Sequence, residues 1–215
     1  ALYLAMGICA ALFEAQRSGQ GQVIDCAMTD GSTSLMTMFY GMKASNFWST
    51  TRGVNMLDGG AHFYDVYETA DAKFISLGSI EPQFYALLRE KAGLDDAGFD
   101  AQMDRGQWPD LKAKVAEAIK TKTRDEWDAL MEGTDVCYAP VLDMDEAASH
   151  PHNLARETLV ERDGVTQPNV APRFSRTQSE IQGPPPVIGA HNETALQAWG
   201  FDDNDLETLK SVEAI

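Results

Sequence analysis

A chain of 215 residues, with 44% hydrophobic and 23% charged side chains, can form one large domain or two small ones around a true core. Its net charge of -16 argues against a nucleic-acid or anionic-membrane surface, both of which need clustered Lys and Arg. The charge names no partner, because a local basic pocket in an acidic chain can still take an anionic ligand.

The first segment, ALYLAMGICAALFEAQ, reads as a helix over residues 1–17 that is apolar nearly all round. Such a helix is normally buried inside a larger body, so the expectation is a chain that starts within a domain. The alternative is a first helix packed on its own core. The apolar run is too short and interrupted to span a bilayer and has no basic head of a signal peptide. SGQGQ (18–22) ends the helix, VIDCAM (23–28) reads as a short buried strand, and residues 29–44 read as a second helix. Together they make an αβα unit of an α/β domain. Cys9, Cys26 and Cys137 are odd in number, widely spaced and outside any CxxC. They read as reduced, mostly buried thiols of a cytoplasmic protein, with a catalytic cysteine as the alternative.

NFWSTTRGVNMLDGG (46–60) has no period and is rich in Gly, Asn and Asp, which marks a loop or linker. HFYDVYE and KFISLGSI then alternate as strands around the turn residues TADA, a hairpin. Pro82 opens a helix to about Ala92, since its missing N–H had no partner in a first turn. WPDLKAKVAEAIKT (108–121) carries Leu111, Val115, Ala118 and Ile119 on one stripe and predicts an amphipathic helix. In TRDEWDALMEG (123–133), Thr123 and Glu126 form a capping-box pattern and Gly133 is the stop. CYAPVL (137–142) predicts a third strand, placed by Pro140 at an edge or bulge. DEAASHPHNLAR (145–156) predicts a short helix broken near Pro151. An irregular hairpin over 157–176, the stiff GPPPVIG (183–189) and two short helices around Gly200–Phe201 complete the chain.

No GxxxxGK[ST], GxGxxG or GxSxG motif occurs, which removes the commonest α/β enzyme classes in their usual form. His150 and His152 sit two apart with no third ligand, so a surface or capping role fits them better than a metal. His62 precedes an aromatic strand and is a candidate to line a cleft. The paired glycines of MLDGG (56–60) let backbone lie against a ligand, or make a plain interdomain turn. Met36, Met38, Met42 and Met56 read as core or as an adaptable apolar wall for a fatty chain. Glu81 closes the apolar run FISLGSI and stands one residue before a helix. A carboxylate there gains from the helix macrodipole without any further role. Glu is nevertheless a poor N-cap, and a carboxylate on a rigid strand end can orient an imidazole or relay a proton.

Four stretches carry a family likeness: GQGQVIDCAMTDGS, TRGVNMLDGGAHFYDVYETADAKFISLGSIEPQFY, DVCYAPVLDMDEAASHPHNLAR and APRFSRT. The chain resembles, over essentially its whole length, the α-methylacyl-CoA racemases of the family III CoA-transferase superfamily. IEPQFY stands where formyl- and carnitine-type CoA transferases usually carry a glycine-rich loop, and so favours the racemase branch. The resemblance implies an α/β fold class: the end of a Rossmann-like large domain (1–45), a linker (46–63), a small α+β domain (64–156), a return linker (157–189) and C-terminal helices (190–215) that pack back on the large domain.

It also implies chemistry. The family interconverts R and S 2-methyl-branched acyl-CoA thioesters in fatty-acid metabolism, without metal or redox cofactor. A His and an Asp on opposite faces of the substrate move the α-proton through an enolate, and a Glu hydrogen-bonds the His. That Glu matches Glu81, the implied catalytic residue. Met56, Leu57, Gly59, Gly60, Tyr64 and Ile80 are the implied contacts to the acyl-CoA. The family's His and Asp motifs lie upstream of the helix that opens this chain, so Asp58 and His62 do not take those roles. The chain alone is therefore expected to be inactive, and to act in an interlocked homodimer once the missing part is supplied. Alternatives are a family III acyl-CoA transferase, with an Asp as covalent acyl carrier, and a non-catalytic dimerising fragment. Reduced thiols and no export signal suggest a cytoplasmic location; the terminal VEAI is no peroxisomal address.

Overall fold

A computed structural model describes residues 1–215, which divide into two compact units, 1–141 and 142–215. The first unit opens with α1 (Leu2–Ser18), which ends where Gly19 turns left-handed at φ 74° and donates its N–H to the Ala15 carbonyl. None of its side chains is buried. Residues 20–27 then run without regular structure, so the strand expected over VIDCAM is absent. Val23 is 97% exposed, and no neighbouring strand offers the segment a ladder. An apolar run needs a paired edge as well as cover to become a strand.

The helix expected over 29–44 forms as two, α2 (Met28–Leu35) and α3 (Thr37–Ala44), interrupted at Met36. There the Thr37 hydroxyl donates to the Ser34 carbonyl at 2.6 Å and the Met36 amide turns back to Thr33. A hydroxyl that competes for helix carbonyls in this way breaks the ladder. The cysteines are also not buried: Cys9, Cys26 and Cys137 are all exposed. The first two lie on α1 and the unpaired segment, which touch each other and α2, as in the 2.9 Å Tyr3–Ser34 hydroxyl contact, without enclosing either thiol.

The core of this unit is built as the patterns require. β1 (Tyr64–Glu68) and β2 (Phe74–Gly78) pair antiparallel with Tyr64 opposite Gly78. β3 (Tyr138–Val141) adds antiparallel to the far side of β2, giving the order β1-β2-β3. Pro140 thus sits on an edge strand, where a missing donor is tolerated. Alternation sends Tyr67, Ile75 and Leu77 inward. They join the buried stripes of α4 (Pro82–Ala92), α5 (Trp108–Ile119) and α6 (Arg124–Met131). Leu111, Val115 and Ile119 are buried as the stripe predicts, with Ala118 at its margin. The Trp127 indole is fully buried and donates to the Ile119 carbonyl at 2.7 Å, so the polar end of a large apolar side chain is satisfied. The Thr123–Glu126 capping box is formed on both sides. The segment 46–63 also contributes Asn55, Ala61, His62 and Phe63 to the interior.

The second unit begins with α7 (Met144–Ser149), capped by Asp143, and α8 (Pro151–Ala155), the break falling at His150. β4 (Leu159–Arg162) and β5 (Val165–Pro168) form a hairpin. Its turn is Asp163–Gly164, both left-handed at φ 52° and 76°, the pair of angles a two-residue hairpin turn needs. Two helices, α9 (Asn192–Ala198) and α10 (Asp203–Ser211), follow on either side of Gly200 and Phe201. No helix in the chain is long and apolar enough to cross a membrane.

Candidate functional site

Glu81 is not the last residue of a strand. β2 stops three residues earlier, at Gly78, whose amide still reaches the Cys137 carbonyl at 2.9 Å. The Ile80 amide then folds back onto the Gly78 carbonyl, and the Ser79 amide crosses to the Phe63 carbonyl at 3.0 Å. The buried Ser79 hydroxyl donates to the Val136 carbonyl at 2.5 Å. Gln102 closes the clamp, its side-chain amide donating to the Ser79 carbonyl at 3.1 Å and the Ile80 carbonyl at 2.9 Å. Its own carbonyl accepts from the Trp108 indole. Phe63 and Val136 are the next partners in register on β1 and β3, so pairing reaches Ser79 and ends there, where the Ile80 amide folds back and Gln102 takes the Ser79 and Ile80 carbonyls.

Glu81 becomes the N-cap of α4, extended at φ -71° and ψ 143°, and its carboxylate makes no cap hydrogen bond. The side chain is exposed, while its carbonyl accepts the Tyr85 amide at 2.9 Å. A carboxylate on a fixed backbone, uncommitted to its own helix, can bond an external donor at little ordering cost.

A cleft of about 390 Å³ lies on the outer face of the three strands. Leu57, Gly59, Tyr64, Gly78, Cys137 and Ala139 are among the residues that line it. Burial pushes the Cys137 thiol up, and the nearby carboxylates of Glu81 and Asp135 add to the effect. Of the residues named from the resemblance, Leu57, Gly59 and Tyr64 face this cleft. Met56 and Ile80 do not line it and pack, partly buried, against the core. Gly60 lies within the loop, its amide bonded to the Asn55 carbonyl at 3.0 Å.

The loop itself is tied. The Asp58 carboxylate accepts from the Asn55 amide at 2.7 Å, the Asn55 side chain at 2.7 Å and the Gly53 amide at 3.2 Å. Burial works against the Asp58 charge, but these bonds hold its carboxyl below the usual range. Lys112 donates to the Gly59 carbonyl at 2.6 Å and pairs with Asp65. The glycine pair is thus held by its own protein on both sides.

His62 lines no cleft. It is fully buried, and its Nε2 lies 2.7 Å from the Tyr85 hydroxyl. Burial lowers its pKa to about 4. Gln102 and Lys112 belong to no motif, and Ser79, though inside a family-like stretch, carries no local signal of its role, since each acts on backbone far along the chain. No group of three or more His, Cys, Asp or Glu side chains is placed to hold a metal ion.

The family model for CoA-transferase family III matches residues 1–192. The chain is 40% identical over 212 residues to the α-methylacyl-CoA racemase of Mus musculus, covering 98% of this chain and 56% of that protein. It is 38% identical over 219 residues to the racemase of Homo sapiens, covering all of this chain and 56% of that one. The chain thus spans little more than half the length of these relatives. Among solved structures, a CAIB/BAIF family protein from Brucella suis superposes with a TM-score of 0.72 at 21% identity, over 92% of this chain and 53% of that chain. At that identity the likeness is one of fold.

Proposed function

The chain belongs to CoA-transferase family III, and we propose that it is a segment of an α-methylacyl-CoA racemase. The observation that carries this reading is Glu81: a carboxylate uncommitted to its own helix, on backbone clamped by Phe63, Val136 and Gln102. It is supported by the likeness to the two mammalian racemases across the chain.

In this reading Glu81 accepts a hydrogen bond from a histidine and holds that ring's tautomer and charge. The histidine takes the proton α to a thioester carbonyl, an aspartate across the substrate returns one to the opposite face, and the enolate lies between. The enolate oxygen gains from fixed donors around it. The acyl-CoA rests against the cleft formed by Leu57, Gly59 and Tyr64. The reaction needs no metal or redox cofactor. The intact protein works as a homodimer, and Glu81 stands at the subunit interface. These 215 residues lack the family's His and Asp motifs, so the chain by itself is inactive.

The test is exchange of the α-proton of a 2-methylacyl-CoA in D₂O, followed by NMR. The folded chain alone is expected to give background exchange. Exchange should appear when the N-terminal half of a related racemase is added, and fall by about 10²-fold or more with Glu81→Gln. Exchange by the chain alone would contradict the assignment of the base to another segment. CoA transfer to a free acid, without α-exchange, would favour the transferase reading instead.

A further inference from the structure

His62 is a buried titratable side chain that this chemistry does not use, yet it is held by more partners than packing requires. The Tyr85 hydroxyl has one proton and gives it to the Phe99 carbonyl at 3.1 Å, which can only accept. With that bond made, the imidazole donates the 2.7 Å contact and Nε2 carries the proton; the opposite tautomer would bury an Nδ1–H with no acceptor and leave the Phe99 carbonyl without this donor. His62 Nδ1 is left as a bare, buried acceptor with no hydrogen-bond partner. The ring meets Phe63, Tyr85 and Phe99 at centroid distances of 5.1, 5.5 and 5.6 Å. Its backbone carbonyl accepts the Tyr67 hydroxyl at 2.6 Å. The imidazole is enclosed, neutral and a donor, so it cannot be a base toward a substrate.

What this donor does is fix α4. Tyr85 is one turn into that helix, and its amide is bonded to the Glu81 carbonyl. The residue after His62, Phe63, accepts the Ser79 amide on the other side of Glu81. Two consecutive residues, His62 and Phe63, therefore hold the chain just after and just before the carboxylate. We propose that His62 and Tyr85 are positioning residues that pin the start of α4 and so set where the Glu81 carboxylate stands. The proposal deepens the reading of Glu81 given above, and its test uses no substrate, so the two can fail separately.

The exposed Cys137 thiol, which feels Glu81 and Asp135, is the reporter. In a chain carrying Cys9→Ser and Cys26→Ser, the pH profile of Cys137 alkylation gives its thiol midpoint. Glu81→Gln is expected to lower that midpoint by several tenths of a pH unit, because a like charge is removed. In the Tyr85→Phe and His62→Phe backgrounds the same substitution should shift it less than half as far, and His62→Gln, which keeps a donor, should restore the full shift. A mutation cycle of this kind isolates the coupling from general loss of stability.

Equal shifts in all backgrounds overturn the proposal. So does no shift in the parent, since Glu81 then does not stand beside Cys137. Should His62→Phe not fold, Tyr85→Phe carries the cycle. The ¹⁵N spectrum of the parent imidazole at pH 7 adds a check that needs no variant. An Nε2–H tautomer is expected, and an Nδ1–H tautomer or a charged ring overturns the proposal.

Discussion

The Gly60 amide donates to the Asn55 carbonyl at 3.0 Å, and a Cβ on Gly60 would stand 2.6 Å from that same oxygen and 2.6 Å from the Val54 carbonyl carbon. The glycine is needed for the loop to close on itself. This is a sufficient reason for one of the two glycines of MLDGG without any ligand.

Gly60→Ala should therefore be costly, since the obstructing atoms are backbone. A loss of about 1–3 kcal/mol is expected, as for overpacking elsewhere. Gly41 offers the opposite case: it lies inside α3 with nothing within 4 Å of a built Cβ. Gly41→Ala should gain about 0.5–1 kcal/mol from helix propensity and a less flexible unfolded chain. Urea midpoints of the two variants should move in opposite directions. A shared direction would contradict the steric account of Gly60.

Glu81→Ser should stabilise the chain while removing the carboxylate. The native side chain makes no cap bond, whereas serine at an N-cap accepts from the first turn and is worth roughly 0.5–1 kcal/mol over a poor cap. A residue that is worse for stability than its simple replacement is the pattern of a position kept for another reason. A urea midpoint unchanged or lowered in Glu81→Ser would remove this support for a functional Glu81.

The exposed apolar side chains of α1 make a third expectation. Leu2, Met6, Leu12 and Phe13 are 86, 63, 61 and 63% exposed, too much on one element to stay in water without consequence. The chain should self-associate in sedimentation velocity as concentration rises. Leu12→Lys with Phe13→Lys should weaken that association by roughly tenfold, the equivalent of about 1.4 kcal/mol of lost apolar contact. Association that is insensitive to the pair would place it on another surface.

What could be read from sequence was local. Pro82, the Thr123–Glu126 box, the TADA turn and Pro140 each act within a few residues, and each produced the expected element. VIDCAM failed because an apolar run predicts burial but cannot say whether a strand lies beside it. The cysteines failed for the same reason: an apolar neighbourhood in sequence is not cover in space. Glu81 could be singled out as a poor cap. Its true setting depends on Gln102 and Val136, 22 and 57 residues from the bonds they make with Ile80 and Ser79. His62 reads in sequence as a possible cleft residue, whereas its partner Tyr85 is 23 residues away. Side-chain bonds across such separations leave no period or motif.

His62 also sets a pH dependence whose sign can be worked out. The unfolded ring protonates near its ordinary 6.5, whereas burial keeps the folded ring neutral down to about 4. Between those values the unfolded chain binds more protons, so stability falls as pH falls. The contribution is complete above 6.5 and is lost progressively toward 4, for as much as about 3 kcal/mol. The carboxyls of Asp58 and Glu126, both held low, act in a separate and more acidic window: their stabilisation is present above the ordinary carboxylate range and is lost as pH drops through their lowered values. Urea midpoints at pH 7, 5.5 and 4.5 separate the two. The parent should weaken steadily across that span, while His62→Gln, less stable at pH 7, should be nearly flat. Parallel slopes in the two proteins would mean that His62 already exchanges protons with solvent in the folded chain, against the enclosed ring seen here.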